Sequence, residues 1–291
     1  MSEVKTTQAV ETQTQPSNVH QETQTEVAHE PTIYAEPIFQ IGNFKITNAF
    51  FSSLSVTLFL VVAFILVRKK IRQIPKGLQN FAEMILEGGL NFADTITRDR
   101  KTSEKLLPVA LAFFLFILLN NWFGLLPIIG TIGFYEMHEG HNAFIPFFRG
   151  GTADLNMTLA LALFAVFFSH FIGVFTIGAW KHFNKFINIE TLLEIPRKFK
   201  EDKNVAFINP VKFFVGFMEI VGEIAKIMSL SLRLFGNIFA GEVLLASMAM
   251  IFAFILPIPF FFLEVLVGVV QAAVFSILTL VFLSMSVTAE H

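Results

Sequence analysis

Long uncharged runs alternate with short charged blocks along most of this chain. No Asp, Glu, Lys or Arg occurs from Ala49 to Val67, Leu106 to Phe134, Leu155 to Trp180, Val243 to Leu263 or Val265 to Ala289. Each run reaches the ~18–20 residues that a helix needs to cross a hydrocarbon core. A further apolar segment, from about Pro210, carries a few polar groups at helical spacing. Five or six membrane segments follow. The pattern changes between Pro75 and Thr97, where Leu78, Phe81, Ala82, Ile85, Leu86, Ala93 and Ile96 recur at helical spacing among Lys76, Glu83, Glu87 and Asp94. That periodicity predicts an amphipathic helix, either along the membrane surface or against a partner. Pro257 and Pro259 interrupt the helical pattern, so the segments Pro210–Ala253 and Phe260–Thr288 are predicted to form a helical hairpin.

Charge adds an orientation. Arg68, Lys69, Lys70, Arg72 and Lys76 follow the first span, and Arg98, Arg100, Lys101 and Lys105 precede the second. Lys181, Lys185, Arg197, Lys198, Lys200, Lys203 and Lys212 follow the third, whereas the Leu125–Asp154 loop carries only Arg149. By the positive-inside rule the basic connections are cytoplasmic. The amino terminus and the Leu125–Asp154 loop are then outside, and five crossings leave His291 inside. The first ~32 residues are polar, acidic and rich in Thr and Gln, with no basic region leading into an apolar core. They predict a disordered outer tail and not a cleaved secretory signal. The chain thus divides into an outer segment, 1–48, and a membrane domain, 49–291.

Composition narrows the chemistry. With no cysteine, the chain has no disulfide, thiol nucleophile or Cys-ligated metal. No phosphate loop, metal-spaced cluster or nucleophile–base motif is present either. The informative groups lie inside the apolar segments. An arginine at the centre of a bilayer costs at least ~2.5–3.5 kcal/mol, so Arg233 needs a partner, water or a function. On a helix of 3.6 residues per turn, Glu219, Glu223, Lys226, Arg233 and Asn237 fall within about 80° of one another, a single polar stripe. Ser229 is one turn before Arg233 and within reach of it. Glu242 falls on the opposite side, ~180° around from Arg233 and ~13 Å along. The arrangement suits two separate aqueous access paths. Glu264 and Gln271, seven residues apart on the last span, share a face, and two acids near one end of a hairpin can share a proton.

Structural roles compete with these. Arg233 with Glu219 or Glu223 would make an ion pair tying helices together, and Lys226 would extend to the cytoplasmic surface. His170 would be a hydrogen-bonded interior histidine. Gly236 and Gly241 would allow close helix packing. Most of the 37 phenylalanines would face lipid or core.

Leu230-Ser231-Leu232-Arg233-Leu234-Phe235-Gly236-Asn237, followed by Ala240-Gly241-Glu242, Gln271-Ala272 and Val281-Phe282-Leu283-Ser284, resembles subunit a of the F-type ATP synthase membrane sector. Asn120 before Leu125-Leu126-Pro127, and Ala153-Asp154-Leu155-Asn156-Met157-Thr158-Leu159, extend the resemblance over about Asn48 to the end. It implies an all-α, polytopic stator in a bacterial inner membrane, with a strongly tilted C-terminal hairpin. Protons would cross through two offset half-channels joined only by rotation of a ring of c subunits. The implied partners are that c-ring, peripheral-stalk b subunits, lipids and protons, with no nucleic acid. No cofactor, metal or nucleotide site is implied in this chain. Carried over residue by residue, Arg233 matches the arginine facing the ring carboxylate. Glu242, Glu264, Gln271 and Asn120 match outer half-channel positions, and Glu219, Ser229 and Asn237 match inner ones. Glu264 stands where some relatives have histidine, which makes both members of that outer pair acidic. The competing class is a secondary transporter binding an anionic substrate at Arg233. Paired broken helices would favour it, and only one segment here carries the polar stripe.

Overall fold

The computed structural model describes residues 35–69, 71, 77–126, 131–138, 141–180, 205–252 and 255–288. A short hairpin of β1 (Pro37–Ile41) and β2 (Phe44–Thr47) leads directly into α1 (Asn48–Lys69). Its two-residue turn places Gly42 at φ 62°, a backbone conformation that favours glycine. α2 (Leu78–Thr97) and α3 (Arg100–Leu125) follow. Then come a second antiparallel hairpin, β3 (Gly133–His138) with β4 (His141–Pro146), and a 3-10 turn at Gly151–Ala153. α4 (Leu155–Ile177), α5 (Val205–Ile251) and α6 (Pro257–Thr288) complete the chain.

Five of these helices, α1 and α3 to α6, are long and apolar enough to cross a membrane. The protein is therefore a helical, polytopic membrane protein, and the choice between five and six spans resolves to five. The difference comes from the uncharged run Val243–Leu263, which is not one span. α5 ends at Ile251 and α6 begins at Pro257, where a proline suits a first helical turn because it lacks an amide the turn would not bond. α5 also begins at Val205, before the expected Pro210. The uncharged run that begins at Leu106 likewise outlasts its helix. α3 stops at Leu125, and Leu126, the residue before Pro127, is extended at ψ 117°, as proline demands of its predecessor.

The two strand hairpins were not anticipated from the sequence; both lie between or before spans. The polar tail 1–34, the basic connection 181–204 and the terminal residues 289–291 lie outside the described residues.

Asp99 caps α3, its carboxylate accepting from the amides of Lys101 and Thr102. The Thr102 hydroxyl and amide hold that carboxyl below its usual range. Behind the cap, Arg98 ends α2 in a left-handed conformation at φ 58°, which lets α2 fold straight back onto α3. α2 buries Ala93 against Leu106, Leu107 and Ala110 of α3 and Leu280 and Leu283 of α6.

The main core is an apolar layer at the level of Arg233. Phe113 and Ile117 of α3, Ala162 and Ala165 of α4, Leu230, Leu234 and Ile238 of α5, and Ala272 and Phe275 of α6 fill it. Ala153 closes it from the 3-10 turn. The two polar hydroxyls inside, Thr158 and Ser231, satisfy each other at 3.3 Å.

Candidate functional site

Polar side chains collect at both ends of this apolar layer. At the end where α3 finishes and α5 meets α6, the segment 146–154 folds inward over the helix ends. A polar edge of α1 holds it there. Asn48 Nδ2 donates to the Pro146 carbonyl at 3.4 Å, and Ser52 Oγ accepts from the Arg149 amide at 3.0 Å. Ser53 Oγ donates to Asn120 Oδ1 at 3.1 Å, and Asn120 Nδ2 bonds back to its own helix at Phe116 O, 2.8 Å. A side chain at Gly151 would overlap Ser53 and lie 2.7 Å from Asn120, so only glycine lets the segment pass. Neighbouring Asn121 donates to Gly268 O at 2.9 Å and accepts from Thr152 Oγ1 at 2.5 Å, stitching α3, α6 and the 3-10 turn together.

This fold-back delivers Arg149 to Glu242. Its Nη2 lies 2.9 Å from Glu242 Oε2, with the arginine side chain 7% exposed and the glutamate 25%. Glu264 approaches the same place from α6. It is 6% exposed and its carboxylate is pressed against Gly241, the residue before Glu242. Two acids and one arginine thus meet at one end of the α5–α6 hairpin, as the sequence suggested for the acids alone.

Gly241 is where close packing is required. A methyl group there would overlap the Glu264 carboxyl itself. Gly241→Ala is therefore expected to cost ~1–3 kcal/mol of overpacking, and to lower the amount of folded protein recovered from membranes by displacing Glu264. Glu264→Asp in the same chain, one methylene shorter, should recover part of it. Unchanged recovery of Gly241→Ala alone would show that the contact is unimportant. Gly236, also considered for helix packing, has nothing within 4 Å of where its side chain would be.

At the middle level Arg233 lies exposed on the outer face of α5, donating to Ser229 Oγ at 3.0 Å. Asn237, one turn on, is exposed on the same face. Among the described residues Arg233 makes no ion pair, so the ion-pair role considered for it with Glu219 or Glu223 is not what this structure holds. A crevice of about 10 Å³ beside it is lined by Leu230, Leu234, Gln271, Val274, Phe275 and Leu278. That is room for about one water molecule. Gln271, grouped by resemblance with the outer positions, thus sits at the level of Arg233.

The other end holds a second cluster. Glu223 takes Lys226 Nζ at 2.7 Å on one oxygen and faces His170 Nε2 of α4 at 3.3 Å on the other. Lys226 also lies over the Phe282 ring, 5.0 Å from its centroid. The stripe expected along α5 therefore divides. Glu223 and Lys226 turn toward α4 and α6, while Ser229, Arg233 and Asn237 turn away from the bundle. Glu219 is half-buried one turn before Glu223.

Sequence reasoning missed two contributors. Arg149 was legible only as the lone basic residue of its loop, followed by Gly150-Gly151, a pair that lets backbone approach closely. His170 was legible only as a single ionisable group on an apolar span.

The comparisons with known proteins agree with this geometry. Residues 49–284 match the family described as ATP synthase A chain. The chain belongs to that family. A protein named ATP synthase subunit a from Campylobacter concisus (strain 13826) is 32% identical over 244 residues, covering 84% of this chain and 91% of its own. Proteins of the same name from Helicobacter acinonychis (strain Sheeba) and Helicobacter pylori (strain Shi470) are each 30% identical over 261 residues, covering 87% of this chain and 97% of theirs. As an A-chain family member the protein is a multi-pass membrane component of an ATP synthase, and the matched region contains Arg233 and the charged groups of both clusters.

Proposed function

We propose that the chain is the proton-conducting stator of an ATP synthase membrane sector, working against a rotating ring of small c subunits. Membership in the A chain family supports the stator role, and the secondary-transporter reading has no such support. The crevice at Arg233 is also far smaller than the ~300 Å³ or more of an ordinary small-molecule site. The observation that carries the mechanism is the separation of two polar clusters by an apolar layer, with Arg233 on the face turned away from the bundle.

In this reading the Arg149–Glu242–Glu264 group ends an outer aqueous path, together with Asn120. Glu219, Ser229 and Asn237 border the inner path. The apolar layer among the described residues keeps the two paths apart, so in this reading a proton crosses by riding a partner. A carboxylic acid on the ring travels in lipid in its neutral form, because burial penalises the anion. On reaching Arg233 it meets a cation that contributes about 4 kcal/mol at ~4 Å and an effective dielectric of ~20. It then releases its proton to one path, passes as an anion and is reprotonated from the other. The exposed position of Arg233, with Gly236 and Asn237 beside it, leaves room for such a partner helix to come close.

α5 supports the expected tilt. Its 47 residues span about 70 Å, more than twice the ~30 Å core, so the hairpin lies obliquely along the ring. α2 lies at the cytoplasmic surface, near the peripheral-stalk b subunits, and the amino terminus is outside.

Because the chain has no native cysteine, a single-cysteine scan with an impermeant thiol reagent tests these placements against a silent background. Cysteines next to residue 1, Glu242 and Glu264 should react from outside. Those next to Glu219, Ser229 and His291 should react from the cytoplasm, and those in the layer of Leu234 and Phe275 from neither. Reaction of all groups from one side would indicate a continuous pore and refute the two-path mechanism.

A further inference from the structure

We propose that His170 and Glu223 form a proton-carrying station on the cytoplasmic path, with Lys226 positioning the carboxylate. The inference rests on the two-path reading above and assigns a role to residues that the reading does not use. The geometry is specific. His170 Nε2 and Glu223 Oε2 are 3.3 Å apart, and Lys226 Nζ occupies the other carboxylate oxygen at 2.7 Å. None of the three side chains is sealed, with exposures of 26%, 17% and 31%.

Glu223 precedes Arg233 by ten residues, ~15 Å along α5, toward the end that follows the basic connection. A pair of bonded hydroxyls lies between α4 and α6, one residue from His170 along α4. Ser169, beside His170, lies 2.6 Å from Ser286 of α6, and Ser169 Oγ donates to Phe282 O at 3.0 Å.

A purely mechanical tie does not account for this choice of residues. Three ionisable groups inside membrane helices are costly, and well-packed apolar side chains of similar volume hold helices at least as well as a buried ion pair does. Lys226 holds one carboxylate oxygen and leaves the other facing the imidazole, which carries the proton in the proposed station. In the synthesis direction, the O–H bond of the ring acid breaks and its anion stays beside Arg233. The proton passes through water to an imidazole nitrogen of His170, forming an N–H bond, and leaves to cytoplasmic water. No oxidant or co-reactant is needed. Among the described residues the ionisable groups in contact with Glu223 are His170 from α4 and Lys226 from its own helix, with Glu219 one turn before it. α6 contributes only the Phe282 ring and serine hydroxyls, since its single ionisable residue, Glu264, lies at the opposite end.

The test uses the whole complex reconstituted in vesicles, with ATP synthesis driven by a fixed gradient at low buffer strength while the pH of the cytoplasmic-side bath is varied. His170→Gln should slow synthesis about tenfold and flatten its dependence on cytoplasmic-side pH. Imidazole added to that side should restore the rate, and the amount of assembled complex should be unchanged. Glu223→Asp, which keeps the charge but draws it back from the imidazole, should give an intermediate loss, and it carries the test should His170→Gln assemble poorly. Lys226→Gln should alter the pH profile more than the maximal rate. An unchanged rate and profile in His170→Gln and Glu223→Asp would overturn the station, as would a loss that imidazole leaves uncorrected in fully assembled complex. Arg233→Ala is run alongside. Synthesis surviving there would overturn the underlying two-path reading, whereas its loss there with unchanged His170→Gln would overturn this inference alone.

Discussion

Gradient-driven ATP synthesis should fall by about three orders of magnitude, below detection, when Arg233 is replaced by Ala in the assembled complex. The size follows from the ~4 kcal/mol that the guanidinium offers a carboxylate at ~4 Å, at ~1.4 kcal/mol per tenfold. Assembly should persist. Arg233 is exposed, its side chain hydrogen-bonds among the described residues only to Ser229 of its own helix, and its removal relieves the cost of a charge in lipid. Arg233→Lys should restore little, because a compact ammonium lacks the planar, permanently charged fork that can follow a carboxylate moving past. Rates of synthesis in vesicles, normalised to complex recovered, decide the matter. A rate within tenfold of the parent in either variant would return Arg233 to a structural role.

Arg149→Met should do the opposite, damaging assembly first. The Arg149–Glu242 pair is largely removed from water, and breaking such a pair on one side costs about 3–5 kcal/mol because the remaining charge is stranded. The recovered complex should drop steeply. Arg149→Met combined with Glu242→Gln, which removes the stranded Glu242 charge as well, should regain most of the lost assembly while synthesis stays impaired. Equal losses in the single and double variants would mean that Arg149 acts through its backbone position and not through Glu242.

These two arginines also mark how far a sequence can be read. Arg233 stood out because lipid makes any interior charge conspicuous, and the spans were visible for the same reason. Arg149 was hidden because its partner is 93 residues away and its loop looked like an ordinary connection. The polar edge of α1, with Asn48 and Ser52, helps to turn that loop inward, and serines in an apolar helix carry no signal of what they will hold. A helical wheel placed Glu223 and Arg233 on one stripe, correctly as an angle. It could not show that α4 would present His170 to Glu223 and leave Arg233 facing outward. The uncharged run across Ile251 and Pro257 hid a turn, because hydropathy does not register chain direction.

The apolar layer has an electrical consequence. On the proposed two-path reading water reaches both polar clusters, and the membrane voltage then drops mainly across the stretch from Leu230 to Ile238. That is ~12 Å of helix against a ~30 Å core. The same ~2.3 kcal/mol per charge per 100 mV then falls over less than half the distance, so the field there is roughly two and a half times that of an undisturbed bilayer. Arg233 stands within this compressed field, and a charge moving obliquely beside the tilted α5 would be pushed along the membrane as well as across it.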